Sequence, residues 1–94
     1  MDLRWQLQRA ARSVVLNIAE GAGEFSPKEK ARIYRISLRS GWEVVGTLEL
    51  GIRDGFFAER QTREVATLLV EVTAMLTTMV KRAQARSTRN RHKK

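Results

Sequence analysis

Cysteine is absent from the 94 residues, which excludes a disulfide framework and any thiolate metal site. That absence fits a reducing compartment, and the cytoplasm is the expected location. Proline occurs once, at Pro27, so nothing blocks long helices elsewhere. Histidine also occurs once, at His92, where a lone side chain among basic residues reads as solvated rather than as a ligand or base. No run of about 18 apolar residues exists to span a membrane. The start, Met1-Asp2-Leu3-Arg4-Trp5, lacks the apolar stretch of a signal peptide. The acids stand mostly singly. Glu20 and Glu24 form the nearest pair at helical spacing, with Gly21 and Gly23 breaking the segment between them. The stretch Gly21-Ala22-Gly23-Glu24 has neither the spacing nor the lysine of a phosphate-binding loop. No catalytic cluster, metal set or cofactor motif can be assembled, so the expectation is a protein that is not an enzyme, needs no cofactor and takes no small-molecule substrate.

What is abundant is positive charge, +8 overall, and its position matters more than its size. Seven cations lie between residues 81 and 94: Lys81, Arg82, Arg86, Arg89, Arg91, Lys93 and Lys94. No acid follows Glu71. Residues 1–80 therefore hold eleven basic against ten acidic side chains, a net of +1. A basic end on a nearly neutral body points to an anionic polymer as partner. The length allows one domain, and a chain this short buries only about 60–65% of the surface its unfolded form exposes. Partner subunits often supply the rest.

Three helical segments are predicted, about 2–20, 27–54 and 58–86. In the first, Leu3, Leu7, Ala10, Val14 and Ile18 recur at steps of three and four, with Asp2 as N-cap and Gly21 and Gly23 as the stop. The second opens on Ser26-Pro27-Lys28-Glu29, an N-cap serine, a proline at the first helical position and a glutamate three residues after the cap. Phe25, just before the cap, is placed to staple onto the first turn. Ala31, Tyr34, Leu38, Gly41, Val45, Leu48 and Ile52 form its apolar stripe, and Asp54-Gly55 ends it. Ile33, Ile36 and Val44 point away from that stripe, either as part of a wide core face or scattered on the surface, or as a subunit interface. The third carries a broad apolar face from Val65 to Ala83, interrupted by threonines that are indifferent helix formers, so packing must hold it. The short loops predict antiparallel neighbours. The expectation is an all-α, up-and-down helical bundle over residues 1–86, followed by a disordered basic tail over 87–94 with nothing apolar in it.

Lys28, Arg32, Arg35 and Arg39 follow a 4, 3, 4 spacing and fall within about a 60° arc of the second helix. Arginines fixed on one helix can grip phosphates bidentately; the plainer reading is a solvated, partly salt-bridged face. With the tail they make the candidate nucleic-acid-binding set. Nothing reads bases, and charge alone does not separate RNA from DNA. Asn17, Glu20 and Glu43 admit a structural reading, as hydrogen-bonding groups at helix ends and crossings, or a ligand-binding one.

The segment from Gln8 to Gly21, QRAARSVVLNIAEG, resembles the signature of the four-helix bundle proteins encoded in bacterial ribosomal RNA intervening sequences, of the form R-R-A-x-x-S-x-x-x-N-I-A-E-G. Gln8 replaces the first arginine; Arg9, Ala10, Ser13 and Asn17 to Gly21 match. Arg35 to Glu43 resembles the family's R-x-A-x-x-S-x-x-E stretch, with Ser37 in the alanine place, and Arg53-Asp54-Gly55-Phe56 a shortened form of its R-D-x-G-Y turn. The resemblance covers roughly residues 4–83. It implies structural roles for Asn17, Glu20, Gly21 and Glu43, and an assembly with a basic surface, commonly a pentamer. It also implies kinship with the accessory proteins of diversity-generating retroelements, which bind nucleic acid and a reverse transcriptase. Members usually carry another long helix before the signature, so only three helices of the pattern are expected. Either the chain is shortened or another subunit fills the groove, and apolar surface along the first and third helices should be exposed. The functional expectation is a non-enzymatic, homo-oligomeric nucleic-acid-associated protein. The alternative is a scaffold whose target is another protein, such as a reverse transcriptase.

Overall fold

The computed structural model describes residues 2–92. It contains three helices: α1 (Leu3–Ala22), α2 (Pro27–Arg53) and α3 (Glu59–His92). α2 packs against both others, while no Cα of α1 comes within 8 Å of one in α3. The two outer helices meet only through side chains. Leu7 and Ile18 of α1 and Leu69 and Val72 of α3 share a core with Ala10, Val14, Val44, Leu48 and Ala66. A second cluster, Tyr34, Leu76 and Val80, fills the other end. Ile33 and Val44 are 7% and 3% exposed, so the second apolar side of α2 is spent inside the chain and is not a subunit interface. Ile36 alone of that group stays exposed.

The helix starts follow their caps. The Asp2 carboxylate accepts from the Arg4 amide at 3.0 Å, and Ser26 Oγ accepts from the Glu29 amide at 3.3 Å. The capping box is only half formed, because the Ser26 amide donates to Glu24 rather than to Glu29. Phe25 does not staple; it is 97% exposed. A staple needs an apolar partner at the fourth helical position. Lys30 stands there, and its ammonium turns to α1, donating to the carbonyls of Gly21 at 2.6 Å and Ala22 at 3.3 Å. A cation thereby closes the negative end of α1.

Gly21 does not stop α1, which continues to Ala22, and Gly23 caps it with φ −86°, outside the left-handed region. Gly21 is needed for space. A Cβ there would lie 2.5 Å from Tyr34 Cε1, whereas one at Gly23 would meet nothing nearer than 3.8 Å. Gly21→Ala is therefore expected to destabilise by about 1–3 kcal/mol through overpacking, lowering the thermal midpoint by about 4–8 °C per kcal/mol. Gly23→Ala should be neutral or mildly stabilising. Thermal unfolding of both variants checks the contrast.

α3 meets one expectation, that of exposed apolar surface, and corrects another. Its apolar face is only partly covered: Ala66, Leu76, Val80 and Ala83 are buried, but Val65, Leu68 and Met75 are 45%, 58% and 59% exposed. The helix also runs on to His92, so residues 87–92 are not a disordered tail. Lack of apolar residues was a poor guide, because glutamine, alanine and arginine propagate a helix already nucleated upstream. Lys93 and Lys94 lie outside the described residues. The threonines of α3 turn their hydroxyls back onto the helix, as Thr67, Thr73 and Thr77 show. Thr73, 1% exposed, packs so closely on Gly41 that a Cβ there would sit 2.9 Å from its methyl group.

Candidate nucleic-acid interface

The signature residues form the seam between α1 and α2. Arg9 pairs with Glu43. Ser13 Oγ and Ser40 Oγ lie 2.7 Å apart, and Asn17 Nδ2 donates to the Ser13 carbonyl at 2.8 Å and to Ser13 Oγ at 3.1 Å. Ser37 Oγ donates to the Val14 carbonyl at 2.8 Å, and Gly21 seats the Tyr34 ring. Residue numbers rise along α1 as they fall along α2, as antiparallel helices require. Asn17, Gly21 and Glu43 thus have structural work at a helix crossing. Glu20 is exposed and makes no side-chain hydrogen bond among the described residues. Among the described residues no buried side-chain nitrogen or oxygen lacks a partner, so the seam offers no unsatisfied group to a ligand. Nor does any group of three His, Asp or Glu there have metal-binding geometry.

The basic candidates divide by face. Lys28, Arg32, Arg35 and Arg39 are all exposed on the outer side of α2. Arg32 is engaged: its Nε and a terminal nitrogen hold the Glu29 carboxylate at 3.1–3.2 Å. That hydrogen bonding holds the Glu29 carboxyl below its ordinary value and raises the Arg32 guanidinium. Lys28, Arg35 and Arg39 make no ion pair among the described residues. The continuation of α3 brings Arg91 back to the start of α2. One groove is lined by Lys28, Arg35, Gln84, Ser87, Thr88 and Arg91, and an adjoining one by Ser26, Pro27, Asn90 and the same two cations, Lys28 and Arg91. No acid occurs between Glu29 and Glu43 on α2 or after Glu71 on α3.

Lys81 falls on the same side of α3 as Arg63, at about five helical turns' distance, and Arg63 reaches Glu49 of α2 at 3.6 Å. Lys81 therefore joins the face of Lys28, Arg35, Arg39 and Arg91. Arg82, Arg86 and Arg89 do not. Spaced four and three apart, they prolong the half-exposed stripe Val65, Leu68, Val72, Met75 and Met79 on another side of α3. The candidate set is thus two basic surfaces rather than one face and a tail. The return of Arg91 to α2 escaped sequence reasoning because it depends on residues 87–92 being helical.

The family model described as 23S rRNA-intervening sequence protein matches residues 1–78. The chain belongs to this family. Curated proteins and solved structures give no match. The matched range of the 23S rRNA-intervening sequence protein family takes in the whole α1–α2 seam and the outer row of α2. It ends before Lys81, so the α3 wall of the basic groove lies beyond it. No helix among the described residues is long and apolar enough to cross a membrane.

Proposed function

We propose that the chain is a non-enzymatic, homo-oligomeric helical protein that associates with nucleic acid through phosphate contacts. The observation that carries this reading is the convergence of Lys28, Arg35 and Arg91 on one groove whose lining includes no acid. Arg39 and Lys81 extend the same face. Guanidinium groups held on helices present a fork that matches phosphate oxygens, and both RNA and DNA offer that chemistry. The family description, which names rRNA, makes RNA the first polymer to try. Self-association is supported by Val65, Leu68 and Met75, large apolar side chains left half exposed at heptad spacing.

The test is a binding titration across a salt series with RNA and DNA oligonucleotides of unrelated sequence. Five unpaired cations predict a slope of log K against log salt between about −3 and −5, at roughly 0.7 per contact for single strands and 0.9 for duplex. The slope should be the same for every sequence. A flat profile, or one sequence bound far more tightly than the rest, contradicts the proposal.

A second reading has the exposed α3 stripe dock a different protein, with the basic face secondary. A pull-down whose captured partner survives nuclease treatment favours it.

A further inference from the structure

Trp42 stands on the outer side of α2 with 52% of its surface exposed. Arg39 precedes it by three residues and Arg35 by seven, so all three share one side of the helix. One turn further on is Gly46. Neither backbone nor packing explains a glycine there. Only Gly55 among the glycines has a positive φ, and a Cβ on Gly46 would meet nothing within 4 Å. A glycine in an exposed helix interior is about 1 kcal/mol less favourable than alanine.

The consequence of Gly46 is local. Helical side chains lean back towards the N-terminus, so a side chain at position 46 would lie across the turn that holds Trp42. Glycine leaves the indole uncovered. Trp5, equally exposed, differs: the Arg9 guanidinium lies over its ring, 5.7 Å from the centroid. No cation covers Trp42 among the described residues. An open indole bordered by unpaired arginines is the arrangement by which proteins hold unpaired nucleotides, the base stacked on the ring and the phosphates on the cations. A duplex keeps its bases stacked on one another and offers no free face to a ring on a convex helix.

We infer that Trp42 is a stacking platform for an unpaired base, and that the outer face of α2 takes single-stranded nucleic acid in preference to duplex. The inference rests on reading that face as a phosphate-binding surface. The arginines supply the charge attraction common to any polyanion; Trp42 and the gap left by Gly46 distinguish a single strand from the rest.

The test uses the full chain carrying Trp5→Phe, in which Trp42 is the remaining indole. Oligothymidylate, a duplex of the same length and inorganic polyphosphate are titrated separately at low salt. Oligothymidylate should quench Trp42 emission, while polyphosphate should bind without quenching. Adding Trp42→Leu should weaken oligothymidylate about 5- to 100-fold, with Trp42→Phe recovering part of the loss. Gly46→Leu, which favours the helix, should weaken it similarly by covering the ring. Duplex and polyphosphate affinities should change less than about twofold. The inference is overturned if oligothymidylate binds with no change in emission, if Trp42→Leu weakens all three polyanions equally or none, or if it instead lowers the particle mass. Failure of all three polyanions to bind overturns the phosphate-binding reading itself, a result distinct from binding that ignores Trp42.

Discussion

A variant carrying glutamine at Lys28, Arg35, Arg39 and Arg91 is expected to lose most of its nucleic-acid affinity while keeping its fold. All four side chains are exposed and none forms an ion pair among the described residues, so their removal leaves no buried group stranded. Each lost phosphate contact flattens the log K against log salt slope by about 0.7 for a single strand, so the slope should fall by about 3. The matching control replaces Arg82, Arg86 and Arg89, which carry nearly as much charge but lie on another side of α3. Its slope should change by less than about one. Equal losses from both variants would mean that net charge, not the α2–α3 groove, governs binding. The comparison separates these cases because circular dichroism and thermal unfolding of the two variants should match the parent.

Leu68→Glu with Met75→Glu is expected to abolish self-association. Leu68 and Met75 are 58% and 59% exposed, and they lie on the stripe that Val65, Val72 and Met79 complete. An apolar side chain fully buried at an interface contributes about 1.5–3 kcal/mol, so losing two removes about 3–6 kcal/mol before any charge is counted. That corresponds to a dissociation constant higher by about 10²–10⁴. The isolated chain should keep its helices, because neither residue belongs to the buried core. Affinity for long nucleic acid should fall with the loss of assembly, although no basic residue has changed, since several joined faces bind with greater avidity than one. An unchanged particle mass would show that the stripe is not the self-association surface.

Much of this fold was legible in the sequence. Asp2 and Ser26 cap the helices they were expected to cap, and Pro27 occupies the first position of α2. The parts that were not legible depend on what stands opposite. Gly21 reads as a helix stop until the Tyr34 ring is seen against it. Ile33 and Val44 admit either a core or an interface reading until their burial inside the chain decides for the core. Ser37 and Ser40 look like unremarkable small polar residues, yet together with Ser13, Arg9 and Glu43 they fasten α1 to α2. The candidate site was legible as a list of cations but not as a surface. Arg32 is engaged by Glu29, Arg91 is recruited by the helical run after Ser87, and Arg82, Arg86 and Arg89 turn elsewhere. Trp42 and Gly46 were visible throughout; their meaning came from burial, which shows one exposed and the other without a packing reason.

The proposed assembly on nucleic acid is open to a single measurement. Light scattering with simultaneous ultraviolet absorbance, on the purified chain before and after nuclease treatment, tests it most directly. The expected result is a particle several times the 10.8 kDa of one chain, with nucleotide absorbance that nuclease removes while the protein assembly persists. A 10.8 kDa monomer, free of nucleotide absorbance before and after nuclease, would contradict it.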